Sequence, residues 1–407
     1  MYNPNISPFD VSDNALYTEH RWHAPFEQLR AQMPVSYLPD SPYGPYWSVV
    51  THDLIQQVEV HPEIYSSSWK LGNITIQSAK EEGSLANFIA MDAPEHTEQR
   101  KVVAPAFAPT EMAQREIEIR QRTMDLFDAL PVGETFDWVE HVSMPLTLGM
   151  LCILFDFPFE ERHDLKRWSD LASNVSPEES EERMAHFIEQ MTQMLMRFDK
   201  LLEERRNQPP AGDLLSRMIH SEAMGNMSPE QRIGNIALLI VAGNDTTRNS
   251  MSGLIDAFHK FPEQLEALKA DPSLIPNATQ EIIRWQSPVT HMRRTTTCET
   301  ELGGQKIAAG AKVVMWYISA NRDESVFPDA GKFDVTRSNA RRHIGFGHGA
   351  HRCVGARLAE IQLGVLIEEI VSRGITIEPM GTAVRMANPF LHGFTEMPVR
   401  IVAGLNT

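Results

Sequence analysis

From Glu95 to Arg284 apolar residues return every three or four positions, the spacing of helices that bury one face. The plainest case follows Ser228-Pro229-Glu230, where a serine suited to capping precedes proline at the first helical position. Beyond it Ile233, Ile236, Ala237, Ile240 and Thr247 form one stripe and predict a long helix. The longest apolar run, Met144 to Phe155, is interrupted by Pro145, Thr147 and Gly149. It is too short to span a bilayer and predicts a buried core helix. Arg206 to Gly212, with Pro209-Pro210 inside it, predicts a surface turn between two helices. The acidic run Glu178 to Glu182 predicts a solvated helix start after Ser176-Pro177.

Outside this region the period shortens. The N-terminal quarter mixes short helices with β-like runs such as Tyr46 to Val50. Thr295 to Ile318 reads as short strands turned at Gly303-Gly304 and Gly310, and a second β-like patch runs from Gly393 to Val402. The expected fold is mainly α with small β-sheets. No repeat, low-complexity tract or long linker divides the chain, so residues 1–407 are expected to form a single domain.

Charge narrows the partners. With 37 Lys and Arg against 54 Asp and Glu, the net charge is −17. Phosphate backbones and anionic membrane surfaces are therefore disfavoured, and neither nucleic acid nor stable membrane insertion is expected. The polar start Met1-Tyr2-Asn3-Pro4-Asn5 lacks the basic and apolar regions of a signal peptide, so a cytoplasmic location is expected. Three cysteines, Cys152, Cys298 and Cys353, are too few and too irregular for a disulfide framework.

One cysteine sits in unusual company. Phe346-Gly347-His348-Gly349-Ala350-His351-Arg352-Cys353-Val354-Gly355 precedes a helical stretch starting at Ala356. Its glycines permit tight turns and close approach to a flat ligand, and a cysteine opening a helix has its thiolate favoured by the helix N-terminus. An inert buried thiol is the ordinary alternative. A zinc site from His348, His351 and Cys353 is another, but it lacks the further spaced Cys or His pair that structural zinc usually has. Two more segments stand out. Ala242-Gly243-Asn244-Asp245-Thr246-Thr247 places a helix-weakening glycine and threonine inside the long helix, which suggests a functional distortion. Glu281-Ile282-Ile283-Arg284 puts opposite charges on one helix face.

Together these segments resemble the cytochromes P450. The first matches that family's haem-binding loop, F-x-x-G-x-[HR]-x-C-x-G, at Phe346, Gly349, His351, Cys353 and Gly355. The resemblance implies haem b, held between the long central helix and the cysteine loop, with Cys353 as the axial thiolate that favours O–O cleavage. It also implies that Thr246 holds the oxygen ligand and its waters and that Asp245 helps relay protons. Glu281 and Arg284 match the E-x-x-R element, with Asn321-Arg322-Asp323 and Phe333 to Arg337 where the family has that element's partners. His96 and Arg100 on one helix face, His351, and Arg294 fall where the family places propionate partners, with Arg293 a one-residue ambiguity. Gly347 and Gly355 complete the expected cofactor cradle.

Gly243 to Met251, His291 to Thr295 and Val313 to Tyr317 are similar to the bacterial alkane and fatty-acid terminal hydroxylases. That implies a monooxygenase inserting one atom of dioxygen at the terminal methyl of a medium-length chain. A terpenoid or steroid side chain is the alternative substrate. The expected substrate wall comprises Leu85 and Phe88 with Ile74, Ile76 and Ile89, then Leu238, Leu239, Val241 and Ala242, then Val289 to Met292, and finally Phe390 and Leu391. The Met-rich stretch Met191, Met194 and Met196 is expected in the core or the lid. Arg341, Arg342, His343, His348, Arg352 and Arg357 surround the cysteine loop, a basic patch suited to an acidic [2Fe-2S] ferredoxin. With no flavin motif in the chain, a ferredoxin reductase is also implied, and the protein is expected to be a monomer. A peroxide-driven enzyme and a non-enzymatic haem sensor or carrier are the competing classes.

Overall fold

In the computed structural model, which describes residues 10–78, 86–173 and 180–403, the helical period is realised as a bundle around one long helix. That central helix, Pro229–Lys260, has 32 residues and is about 48 Å long. The Ser228 side chain accepts from the Gln231 amide while the Gln231 side chain bonds back to Ser228, so a reciprocal cap fixes its start. Helices Met144–Phe155, Arg162–Ala172, Ile275–Gln286 and Ala356–Ser372 pack around it.

Met144–Phe155 is the core helix expected from its apolar run, ending at a left-handed Asp156. Among the described residues no helix is long and apolar enough to cross a membrane. The expected surface turn follows the end of helix Glu181–Arg206. That helix begins after the capping Ser180, so most of the acidic run's lead-in, residues 174–179, lies outside the described residues. Met191 and Met194 are core residues, but Met196 is exposed.

The largest sheet has five strands in the order Val35–Leu38, Tyr46–Val49, Lys312–Met315, Met292–Thr296, Tyr65–Ser66. Tyr46–Val49 pairs in parallel with Lys312–Met315, and the other neighbours are antiparallel. Because successive side chains on a strand alternate in direction, Arg293 and Arg294 leave Met292–Thr296 on opposite faces. Gly303, Gly304 and Gly310 all take positive φ at the expected turns. The C-terminal patch forms a three-stranded sheet, Thr135–Asp137, Pro398–Ala403, Thr376–Pro379, beside the hairpin of Val384–Arg385 and Phe394–Glu396.

The expected distortion at Gly243 is absent as a break: the central helix runs unbroken through Gly243 to Thr247. Gly243 instead permits close helix packing, since a Cβ there would lie 2.7 Å from Leu151 Cδ2. The Thr246 hydroxyl bonds to the Ala242 carbonyl at 2.8 Å, one turn back, a contact that tends to bend a helix without ending it.

Candidate functional site

The cysteine loop is shaped by two left-handed glycines, Gly347 at φ 68° and Gly349 at φ 65°. Gly349 packs directly on the Glu59 carbonyl, leaving no room for a Cβ. The Cys353 amide donates to the Phe346 carbonyl at 2.8 Å and closes the loop. Gly355 then starts helix Ala356–Ser372, so Cys353 sits just ahead of a helix N-terminus. The side chain keeps accessible surface although protein encloses it. That enclosure raises its thiol pKa, and the Gly355 amide, Arg100 and Arg352 oppose the rise. Cys152, by contrast, is buried with its pKa pushed up to about 11, an inert thiol. No cluster of three metal-ligating side chains exists among the described residues, so the zinc alternative finds no support there.

Beside the loop four basic side chains converge. The rings of His96 and His351 are 4.0 Å apart. Burial is the main cause that lowers both pKa values, His96 to about 4 and His351 to about 2, and both Arg100 and Arg294 lower them further. His351 Nε2 meets the Ser67 hydroxyl at 3.2 Å, but its Nδ1 and His96 Nε2 are buried without partners. Arg100 donates to the Arg352 carbonyl, and Arg294 has Glu59 at 3.8 Å and the Arg293 carbonyl at 2.8 Å. Donors outnumber acceptors here, and a buried set of this kind is completed by an anion. The two propionates of haem b fit that need, and Cys353, exposed just ahead of its helix, fits the iron. Arg293 belongs elsewhere: its guanidinium reaches Ser78 Oγ at 3.1 Å and the Leu71 carbonyl at 3.4 Å, against Gly72.

On the central helix Ala242 is exposed and Thr246 half-buried, whereas Asn244, Asp245 and Thr247 are buried. The helix therefore has one open face at this point. Asp245 is fully buried, with Arg248 Nη2 2.9 Å and Asn244 Nδ2 2.9 Å from its Oδ1, while its Oδ2 has no partner. Burial raises its pKa against the pull of Arg248. Arg248 Nη1 also lies 3.3 Å from Asp170, a side chain 38% exposed, so the ion pairs lead from the buried acid to the surface.

Glu281 and Arg284 form a fully buried two-bond pair, 2.7 Å at each contact. Arg337 Nε and the Asp334 amide add bonds of 3.0 Å to Glu281. Arg284 donates to the carbonyls of Asn321, Ala330 and Lys332. The expected partners are therefore in place, holding the segment that leads into the cysteine loop.

Of the expected wall, Ile89, Leu238, Val241, Ala242, Val289 and Met292 keep accessible surface. Phe88 and Leu239 are nearly buried in one core cluster, and Ile76 and Leu391 are fully buried in another. Leu85 lies outside the described residues. In the basic patch Arg341, Arg342, Arg352 and Arg357 are exposed. His343 adds no charge, because burial above all lowers its pKa to about 3. Sequence reasoning missed Glu59, Ser67 and Arg248. Glu59 and Ser67 lie in no motif, and Arg248 could have been found from its i+3 spacing to Asp245.

Residues 44–395 match the family model described as Cytochrome P450. The chain is 38% identical over 406 residues to a linalool 8-monooxygenase of Pseudomonas putida, covering 97% of this chain and 98% of that protein. It is 32% identical over 388 residues to a methyl-branched lipid omega-hydroxylase of Mycobacterium tuberculosis, covering 92% of this chain and 90% of that protein. A solved cytochrome P450-153 from Novosphingobium aromaticivorans superposes with a TM-score of 0.92 at 50% identity, covering 97% of this chain and 99% of that one. With the family model matching most of its length and a relative at 38% identity over nearly all of it, the chain belongs to the cytochrome P450 family.

Proposed function

We propose that this P450 monooxygenase hydroxylates the terminal methyl group of medium-length alkyl chains, fatty acids or alkanes, with electrons from a [2Fe-2S] ferredoxin and its reductase. When bound, the haem supplies thiolate-ligated iron that activates dioxygen for insertion of one atom into a C–H bond. Cys353 is the residue to ligate the iron, and His96, Arg100, Arg294 and His351 are the residues to hold the propionates. Phe346, Gly347 and Gly355 shape the loop that presents the sulfur.

Thr246 and Asp245 manage protons. The Thr246 hydroxyl stands on the open helix face, and Asp245 connects through Arg248 to the surface. The observation that carries the substrate reading is the chemistry of the accessible wall positions. Leu238, Ala242, Val289 and Met292 carry no charge, so they select by shape and exclude water. A walled apolar chain whose end alone is near the reacting centre reacts at that end, because position outweighs small differences in C–H bond strength. Likeness to a methyl-branched lipid omega-hydroxylase supports the same choice. The linalool 8-monooxygenase at 38% identity favours a second reading, a terpenoid substrate.

The test is to titrate ferric protein with octane, lauric acid and linalool, follow the spectral shift, and identify the products of the tightest ligand. Terminal alcohols from octane or lauric acid are expected. Tightest binding and turnover of linalool would replace this reading with the second one.

A further inference from the structure

Glu59 ends helix His52–Glu59 and is 4% exposed, an unusual place for a carboxylate. Three other elements meet it. Tyr317, opening helix Tyr317–Ala320, donates to Oε1 at 2.6 Å, and Arg294 Nη2 from strand Met292–Thr296 is 3.8 Å from the same oxygen. The His348 amide of the cysteine loop favours the ionised carboxylate, Gly347 packs against Oε1, and Gly349 packs on the Glu59 carbonyl. On its own helix His52 is turned away, its ring bonded to the Arg342 carbonyl. Oε2 is buried without a hydrogen-bond partner. A surface cavity of about 350 Å³ is lined by Gly347 and His348 of the cysteine loop and by His52 and Gln56 of the helix that Glu59 ends.

We infer that Glu59 is a positioning residue of the haem site, holding Arg294 and the cysteine loop through Oε1 and taking a proton onto Oε2 when the site becomes more negative. The inference rests on the haem reading above. One carboxylate with one nearby guanidinium is balanced only while Arg294 serves it alone. A propionate that shares Arg294 leaves Glu59 short of positive charge. As the site receives one electron from a one-electron donor, Glu59 takes one proton from solvent onto Oε2, and the net charge of the site is unchanged. Burial already lifts the Glu59 pKa to about 7, against the opposing pull of Arg294, Tyr317 and His348, so the exchange falls near neutral pH.

The experiment is a dithionite redox titration of haem-loaded protein between roughly pH 5.5 and 9, a span bracketing that value. The wild-type midpoint potential is expected to fall as pH rises through this window, because the deprotonated carboxylate favours the oxidised form. Glu59→Gln is expected to hold the wild type's low-pH potential throughout. Tyr317→Phe removes a donor to the ionised carboxylate, so it is expected to move the fall to higher pH. A flat wild type, or a Glu59→Gln protein with the wild-type slope, overturns the inference. If Glu59→Gln retains no haem, Tyr317→Phe decides: a displaced fall supports the inference and an unmoved one overturns it. A wild type lacking the thiolate carbon-monoxide band of the reduced protein sinks the haem reading itself.

Discussion

Arg248 reaches back one helical turn to Asp245, its Nη2 2.9 Å from Oδ1, and its other terminal nitrogen lies 3.3 Å from Asp170. The buried acid thus shares a guanidinium with a carboxylate at the surface, and Lys166 stands 2.5 Å from that outer carboxylate. Asp245→Asn keeps the size of the side chain and removes the exchangeable proton. Turnover is expected to fall by about 100-fold, the scale of a lost general acid, with the substrate-induced spectral shift unchanged. Stopped-flow turnover with saturating reductase and ferredoxin measures it. A rate within twofold of wild type would show that protons reach the site by another route.

Thr246 acts at the other end of that supply. Its hydroxyl is already bonded to the Ala242 carbonyl, so Thr246→Ala removes a polar group from the open helix face without breaking the helix. Haem content is expected to remain normal while a larger share of the NADH consumed appears as hydrogen peroxide. The paired measurement is peroxide and alcohol formed per NADH. Unchanged coupling would count against the assigned role.

The two neighbouring arginines separate by face. Arg294 stands with His96 and His351, whereas Arg293 secures Leu71 and Ser78. Arg294→Leu is expected to lower the haem-to-protein ratio and speed haem loss by about tenfold, since it removes roughly 1.4 kcal/mol or more of a charge-assisted contact. Arg293→Leu is expected to keep haem and to loosen residues 71–78, seen as faster amide exchange at those positions. Equal haem loss from both variants would contradict the separation.

The same pair shows where sequence reasoning stops. Cys353, Thr246 and Glu281 stand out in the sequence because each lies in a local spacing, which a loop or one helix turn carries intact. Ser228 and the stripe after it foretold the central helix for the same reason. Arg293 and Arg294 differ only in the strand face each occupies, which was not settled until Lys312–Met315 was paired with Met292–Thr296 in register. Glu59 was illegible because its three partners come from residues 294, 317 and 348. The wall was half legible: hydrophobicity marked Leu238, Val289 and Leu391 alike, but packing alone decides that Leu391 is core while Val289 keeps surface.

The exposed guanidinium groups of Arg341 and Arg342 stand against the overall charge of −17. An acidic ferredoxin docking there gains from local attraction that salt screens. Arg341→Ala with Arg342→Ala is expected to slow association with an acidic ferredoxin and to flatten its dependence on ionic strength. His343→Gln is expected to leave that dependence unchanged, because burial keeps His343 neutral. Stopped-flow reduction at several salt concentrations checks both. A steep salt dependence surviving in the double variant would place the docking surface elsewhere.

Glu281 is the anion on which Arg284 and Arg337 both depend. Both guanidinium groups are buried and bonded to it, and Arg284 in turn holds the carbonyls of Asn321, Ala330 and Lys332. Glu281→Ala leaves two buried cations unbalanced and a cavity where the carboxylate stood. Removing one partner of a buried pair costs about 3–5 kcal/mol, a large part of the roughly 5–15 kcal/mol that stabilises a folded protein. The loss falls on the segment leading into the cysteine loop, so haem capture fails along with folding. Glu281→Ala is expected to give little soluble, haem-loaded protein. Glu281→Gln, which keeps the shape and one acceptor oxygen, is expected to retain more. Expression yield, haem-to-protein ratio and thermal midpoint measure the series, and normal values for Glu281→Ala would show that the arginines find other anions.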